Sequence, residues 1–113
     1  MSESKMDCLF CKIINREIPA KIIYEDDEMI AFDDIQPKAP QHFLVIPKKH
    51  ISTLNDLTDS DVPLMGKLLK TASHLAAKVG IAESGYRTVF NCNKEGGQVI
   101  YHIHLHVMGG KQL

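Results

Sequence analysis

No apolar run in this sequence approaches the ~20 residues that a membrane-spanning helix needs. No cluster of lysine and arginine is dense enough to track a nucleic-acid backbone either, since Lys48-Lys49 is the only adjacent basic pair. Charge of one sign is not in excess: 13 basic residues face 14 acidic ones, for a net charge of −1. Cysteine is scarce and odd in number, three in 113 residues, which argues against a disulfide framework and for a reducing compartment. Residues 1–5 are polar and mixed in charge, unlike a secretory signal, so the expected location is cytoplasmic. Internal repeats and low-complexity segments are missing. What remains, 44% hydrophobic and 24% charged, suits one globular domain over residues 1–113 with an ordinary core, residues 1–6 forming a frayed leader.

Histidine, by contrast, is concentrated. His102, His104 and His106 alternate with Ile103, Leu105 and Val107. A strand sends successive side chains to opposite faces, so the three imidazoles would share one face and the aliphatic residues the other. Two chemistries fit. Imidazole is the commonest metal ligand, although neighbouring rings on a straight strand rarely converge on one tetrahedral ion. An imidazole nitrogen also serves as a nucleophile toward phosphorus, with flanking rings holding charged oxygens and handling the leaving-group proton. The local pattern leaves both open.

The remaining elements follow from period and punctuation. Phe10, Ile13 and Ile14 recur at helical spacing and predict a short helix over residues 8–15, with Asp7 as a plausible cap. Cys8 and Cys11 within it could be a thioredoxin-like redox pair, half of a zinc site, or core thiols. Residues 21–25 and 29–33 read as a hairpin across Asp26-Asp27-Glu28, followed by a proline-punctuated loop over residues 34–40. A third strand spans residues 42–46, and His50 just beyond it reads alone as a surface residue. Pro63 belongs in the first turn of a long helix, which favours Ser60 as its cap. Leu64, Leu68, Leu69, Ala72, Leu75, Ala76 and Val79 trace its apolar stripe, Gly80 ends it, and His74 lies off the stripe. Strands over residues 86–91 and 99–107 flank a turn at 93–98. There the Gly96-Gly97 pair would let backbone amides approach an anion.

Residues 102–108 resemble the His-x-His-x-His-x-x signature of the histidine triad (HIT) family. Ala31-Phe32-Asp33-Asp34-Ile35, the run from Ala39 to Ser52, Gly97-Gln98 and Gly109-Gly110 resemble its nucleotide-binding HINT branch in particular. The resemblance covers the chain from about Cys8 to Gly110. It implies an α+β fold, a five-stranded antiparallel sheet with one long and one short helix, which agrees with the element order above. It also implies a homodimer whose sheets join into one continuous two-subunit sheet across the long helix and the neighbouring strand.

The implied chemistry is cleavage between the α-phosphorus of a purine nucleoside monophosphate, AMP or GMP, and an amine, through a nucleotidyl-histidine intermediate. By position, His104 matches the nucleophile, His106 the contact to the phosphate oxygens, and His102 the residue supporting the nucleophile. Asp34 matches the acceptor for the ribose hydroxyls, as two donors meeting two carboxylate oxygens would require. Phe10, Ile18, Phe32 and Ile35 match the base pocket, and Asn91, Gly97 and Gln98 the contacts to phosphate and leaving group. Val99 stands where some members carry a hydroxyl that reaches the phosphate. Some relatives hold a structural zinc at positions corresponding to Cys8, Cys11, His50 and His102, a closed tetrahedral set. No organic cofactor is implied. The competing readings are a non-catalytic nucleotide-binding or scaffold protein and a dinucleotide polyphosphate hydrolase.

Overall fold

The computed structural model describes residues 8–113; the expected leader at 1–6 and the Asp7 cap lie outside the described residues. Among the described residues, ten elements of regular structure include two α-helices, α1 (Leu9–Ile14) and α2 (Val62–Lys78). Five strands, β1 (Ile22–Glu25), β2 (Met29–Asp33), β3 (Gln41–Pro47), β4 (Tyr86–Val89) and β5 (Leu105–Gly109), form one sheet in the order β1-β2-β3-β5-β4. Every neighbouring pair is antiparallel.

Period two sorts the side chains between the faces. Met29, Ala31, Phe43, Val45, Leu105 and Val107 face α2 and close a core with Leu68, Ala72, Leu75 and Ala76. The alternate residues Ile30, Phe32, Leu44 and Ile46 pack on the opposite face with Cys8, Phe10, Cys11 and Ile13 of the α1 segment. Leu69 departs from the expected stripe and is 49% exposed, because one step of ~100° from Leu68 carries it off the buried arc.

Local signals placed most boundaries. Gly80 takes φ +85° immediately past the last turn of α2, whose cap residue is Val79, a conformation that favours glycine. At the other end the cap is Asp61, not Ser60, because a 3₁₀ turn over Asp59–Asp61 runs straight into the helix. Cys8 caps α1, its Sγ accepting from the Cys11 amide at 3.3 Å. The larger correction is at the histidines. The fifth strand begins at Leu105 rather than residue 99, so His102 and His104 lie on an irregular segment and only His106 is within β5. Continuing the β3–β5 register, in which Val45 opposes Leu105, would set Ile103 against Pro47. Proline has no N–H to give the ladder. The Ile103 amide donates instead to the Ile51 carbonyl at 2.7 Å.

Candidate active site

A cleft of about 770 Å³ opens on the sheet face that α2 does not cover. One wall is apolar: Phe10 and Ile13 from α1, Ile18 beyond it, and Phe32 and Leu44 from the sheet. Across the strands, Phe32 opposes Leu44, Leu44 opposes His106, and His106 opposes Val89, so one row runs from the apolar wall to the histidines. Asp34 and Ile35 border the cleft, as do Asn91, Gly97 and Val99 on the other side. Ile35 and Val99 are 95% and 85% exposed, large apolar side chains held in water at the cleft's edge.

The hydrogen bonds fix each tautomer. His104 Nδ1 lies 2.7 Å from the His102 carbonyl oxygen. A carbonyl only accepts, so Nδ1 carries the proton and Nε2 keeps its lone pair. His42, an inner residue of β3 by its sequence alone, is buried behind His106. The Lys38 amide donates to His42 Nδ1 at 3.0 Å, which makes His42 neutral with its proton on Nε2. That proton is donated to His106 Nδ1, 3.0 Å away, so the remaining proton of His106 sits on Nε2. Asp34 Oδ2 lies 3.3 Å from His42 Nε2 and favours the donor orientation there.

Burial sets the charge state. It pushes His106 down to about 4, with the neighbouring His104 and His42 adding to the effect. His104 is lowered chiefly by burial, against the pull of the His102 carbonyl. His42 is lowered chiefly by burial, against the Asp34 charge. All three are neutral at neutral pH. Phe10 meets His104 edge-on at 5.1 Å, and His104 meets His106 at 4.9 Å.

Two sequence expectations are corrected here. The Gln98 side chain does not line the cleft; it is buried, donating to the Ser52 carbonyl at 2.7 Å and accepting from the Asn93 amide at 2.9 Å. Nor are the Gly96 and Gly97 amides free for an anion, since they donate to the Asn93 and Lys94 carbonyls and close their own turn. Asn91 Nδ2 donates to the Gly96 carbonyl at 2.7 Å, holding that turn against the cleft.

Behind the cleft, Cys8, Cys11, His50 and His102 gather so that one donor atom of each lies within 4.8 Å of the others. Cys8 Sγ and His102 Nδ1 are 3.3 Å apart, Cys11 Sγ and His50 Nδ1 3.3 Å, Cys11 Sγ and His102 Nδ1 3.5 Å, and the two Nδ1 atoms 3.2 Å. A tetrahedral ion with metal–nitrogen bonds of ~2.0–2.1 Å and metal–sulfur bonds of ~2.3 Å would space its donors ~3.3–3.8 Å apart. His102 Nε2 donates to the Pro47 carbonyl at 2.7 Å, which turns the Nδ1 lone pair toward the cluster and supplies the outer hydrogen bond typical of ligating imidazoles. Burial also holds His102 down to about 4, in the neutral form that binds metal. The donor set therefore fits a tetrahedral ion. His50, read alone as a surface residue, belongs to it.

The profile of the HIT domain family matches residues 15–113. The purine nucleoside phosphoramidase of Escherichia coli strain K12 is 47% identical over 107 residues, covering 95% of this chain and 90% of that protein. An uncharacterised HIT-like protein of Synechococcus elongatus is 51% identical, with 95% and 93% covered. Among solved structures, an HIT family hydrolase from Legionella pneumophila superposes with a TM-score of 0.92 at 55% identity, over 94% of this chain and 95% of that one. A histidine triad protein from Clostridium difficile gives a TM-score of 0.94 at 41% identity, over 98% and 96%. Sequence, fold and the alternating histidines thus agree, and the chain belongs to the HIT family.

Proposed function

We propose that this protein is a purine nucleoside phosphoramidate hydrolase, cleaving the bond between the α-phosphorus of AMP or GMP and an amine. The observation that carries the reading is the state of His104: its Nδ1 proton is committed to the His102 carbonyl at 2.7 Å, so the Nε2 lone pair is available as a nucleophile. The phosphoramidase activity named for the 47% identical Escherichia coli relative supports the same reaction class.

In this mechanism His104 Nε2 attacks phosphorus, an N–P bond to the imidazole forms, and the P–N bond to the amine breaks. His106 Nε2–H donates a hydrogen bond to the phosphate oxygens; the amine leaves with a proton taken from solvent, which the attacking water of the second step gives back. The negative phosphate beside it opposes the burial that lowers His106. Water then attacks the nucleotidyl-histidine, releasing the nucleoside monophosphate and restoring His104. Asp34 accepts from the ribose hydroxyls; its Oδ1 takes the Gln36 amide at 2.8 Å, which orients the carboxylate. Phe10, Ile18, Phe32 and Ile35 hold the base, and Asn91, Gly97 and Val99 border the phosphate and leaving group.

The Cys8, Cys11, His50 and His102 set would hold a structural zinc, which supplies cross-linking rather than chemistry. The working unit is a homodimer, and the cysteines, joined by no disulfide, suit the cytoplasm. The test is turnover of an adenosine 5′-phosphoramidate. Wild type should release AMP and amine, and His104→Ala should not. Tight AMP binding with no turnover by wild type would instead identify a nucleotide-binding protein.

A further inference from the structure

Helix α1 belongs to two sites at once. Cys8 and Cys11, one turn apart, face the donor cluster, while Leu9, Phe10 and Ile13 face the cleft, as the ~100° step between successive helical residues allows. Phe10 stands between the two thiols in sequence and bridges the sites in space. Its ring meets Phe32 at 5.4 Å and His104 at 5.1 Å on the cleft side, and His102 at 6.0 Å on the cluster side. His102 has the same double membership: its Nδ1 faces the thiols, while its carbonyl oxygen accepts the His104 proton.

We propose that the Cys/His cluster and the nucleotide cleft are thermodynamically coupled through α1 and His102, so that zinc in the cluster and a purine nucleoside monophosphate in the cleft tighten each other's binding. The inference rests on the nucleotide reading given above. Its physical basis is the cost of ordering α1. A helix of six residues is not stable alone. This one is held to the sheet by the packing of Phe10 and Ile13, by the thiols of Cys8 and Cys11 in the cluster, and, just beyond its end, by an exposed Arg16–Glu25 pair. Zinc would pin the helix from the cluster side. A base held under Phe10 would pin it from the cleft side. Whichever ligand binds first bears the ordering cost of the segment, and the second binds without it, which is positive coupling. Linkage requires the two effects to be equal in size.

The test titrates AMP into zinc-loaded and chelator-treated protein by calorimetry, and separately measures zinc affinity by chelator competition with and without AMP. AMP affinity should rise about tenfold with zinc, and zinc affinity by the same factor with AMP, within the ~5–150-fold span usual for such coupling. Hydrogen exchange at the Lys12 and Asn15 amides, which close α1 on Cys8 and Cys11, should slow with either ligand. His50→Ala removes a zinc donor that lies outside both α1 and the cleft wall, and should give the AMP affinity of the chelator-treated protein. Equal AMP affinity within twofold, with stoichiometric zinc confirmed in one form, overturns the proposal, as does a zinc-free His50→Ala that binds AMP like the wild type. If those results come with normal phosphoramidate turnover, the coupling fails while the hydrolase reading stands. AMP binding to neither form overturns both.

Discussion

In the proposed hydrolase, a backbone oxygen leaves Nε2 of His104 with the lone pair for attack, and a chain of two donors leaves Nε2–H of His106 to hydrogen-bond the phosphate oxygens. His104→Ala should therefore lower phosphoramidate turnover by several powers of ten while leaving AMP affinity within a few-fold, because the covalent route is lost but few ground-state contacts are. Single-turnover kinetics beside equilibrium AMP binding would check it, and residual turnover within tenfold of wild type would reject the nucleophile. Asp34 makes a different kind of contribution. As the proposed ribose acceptor, its charge-assisted hydrogen bonds to the diol would be worth very roughly 1.5–3 kcal/mol, so Asp34→Ala should weaken AMP more than its 2′,3′-dideoxy analogue. Equal losses for the two ligands would show that the carboxylate serves mainly His42, 3.3 Å away. Of these residues the three triad histidines and Asp34 were legible in the sequence, the histidines from alternation and Asp34 from resemblance. His42 was not. Its partners Lys38, Asp34 and His106 come together only once β3 is registered against β5 and the preceding loop folds back, and no spacing along one strand carries that information.

At the scale of elements, two local devices can be tested by stability. Asp61, at the start of α2, accepts from Lys49 Nζ at 2.6 Å and from the Thr58 amide at 2.9 Å; these partners, Lys49 first, hold its carboxyl below the usual carboxylate range. A folded-state value below the unfolded one gives stability that is present above about pH 4 and is lost as pH falls through the folded value. Urea midpoints measured from pH 7 down to pH 3 should fall less steeply for Asp61→Asn than for wild type, and parallel curves would show that the pair does not contribute. Gly109 is the second device. A Cβ there would lie 2.9 Å from Ile81 Cδ1 and 3.2 Å from the Gly85 carbonyl oxygen, so Gly109→Ala should destabilise by ~1–3 kcal/mol through overpacking. An unchanged melting temperature would mean that the α2–β4 loop moves aside freely. Element order and type were legible because the periods of 2 and 3.6 are strong in this chain. Boundaries failed where a backbone partner was missing. Val99 to His104 read as strand from their alternation, yet Pro47 cannot supply the ladder there, and the same interruption frees His102 to meet the thiols and His104 to border the cleft.

For the whole molecule, the sheet has one lightly covered edge. β4 is the terminal strand beside β5, only four residues long, and three of its four residues are exposed. Such an edge offers unpaired backbone groups to another chain. Leu69 on α2, 49% exposed, and Tyr86 on β4, 36% exposed, add apolar area on these two elements, the pair across which the proposed homodimer would form. In a two-fold symmetric interface each residue counts twice. Removing a half-exposed leucine from both copies would forgo about 1.5–3 kcal/mol of apolar burial, or roughly a 10- to 100-fold weaker dimer. Sedimentation equilibrium of wild type should give twice the chain mass of 12.7 kDa, and Leu69→Glu should shift the equilibrium toward monomer by at least that factor, since it also sets two like charges together. Circular dichroism should stay unchanged, because Leu69 lies off the arc formed by Leu68, Ala72, Leu75 and Ala76. A wild type that sediments at 12.7 kDa across tens of micromolar would refute the dimer. A Leu69→Glu variant as tightly dimeric as wild type would place the interface away from this side of α2.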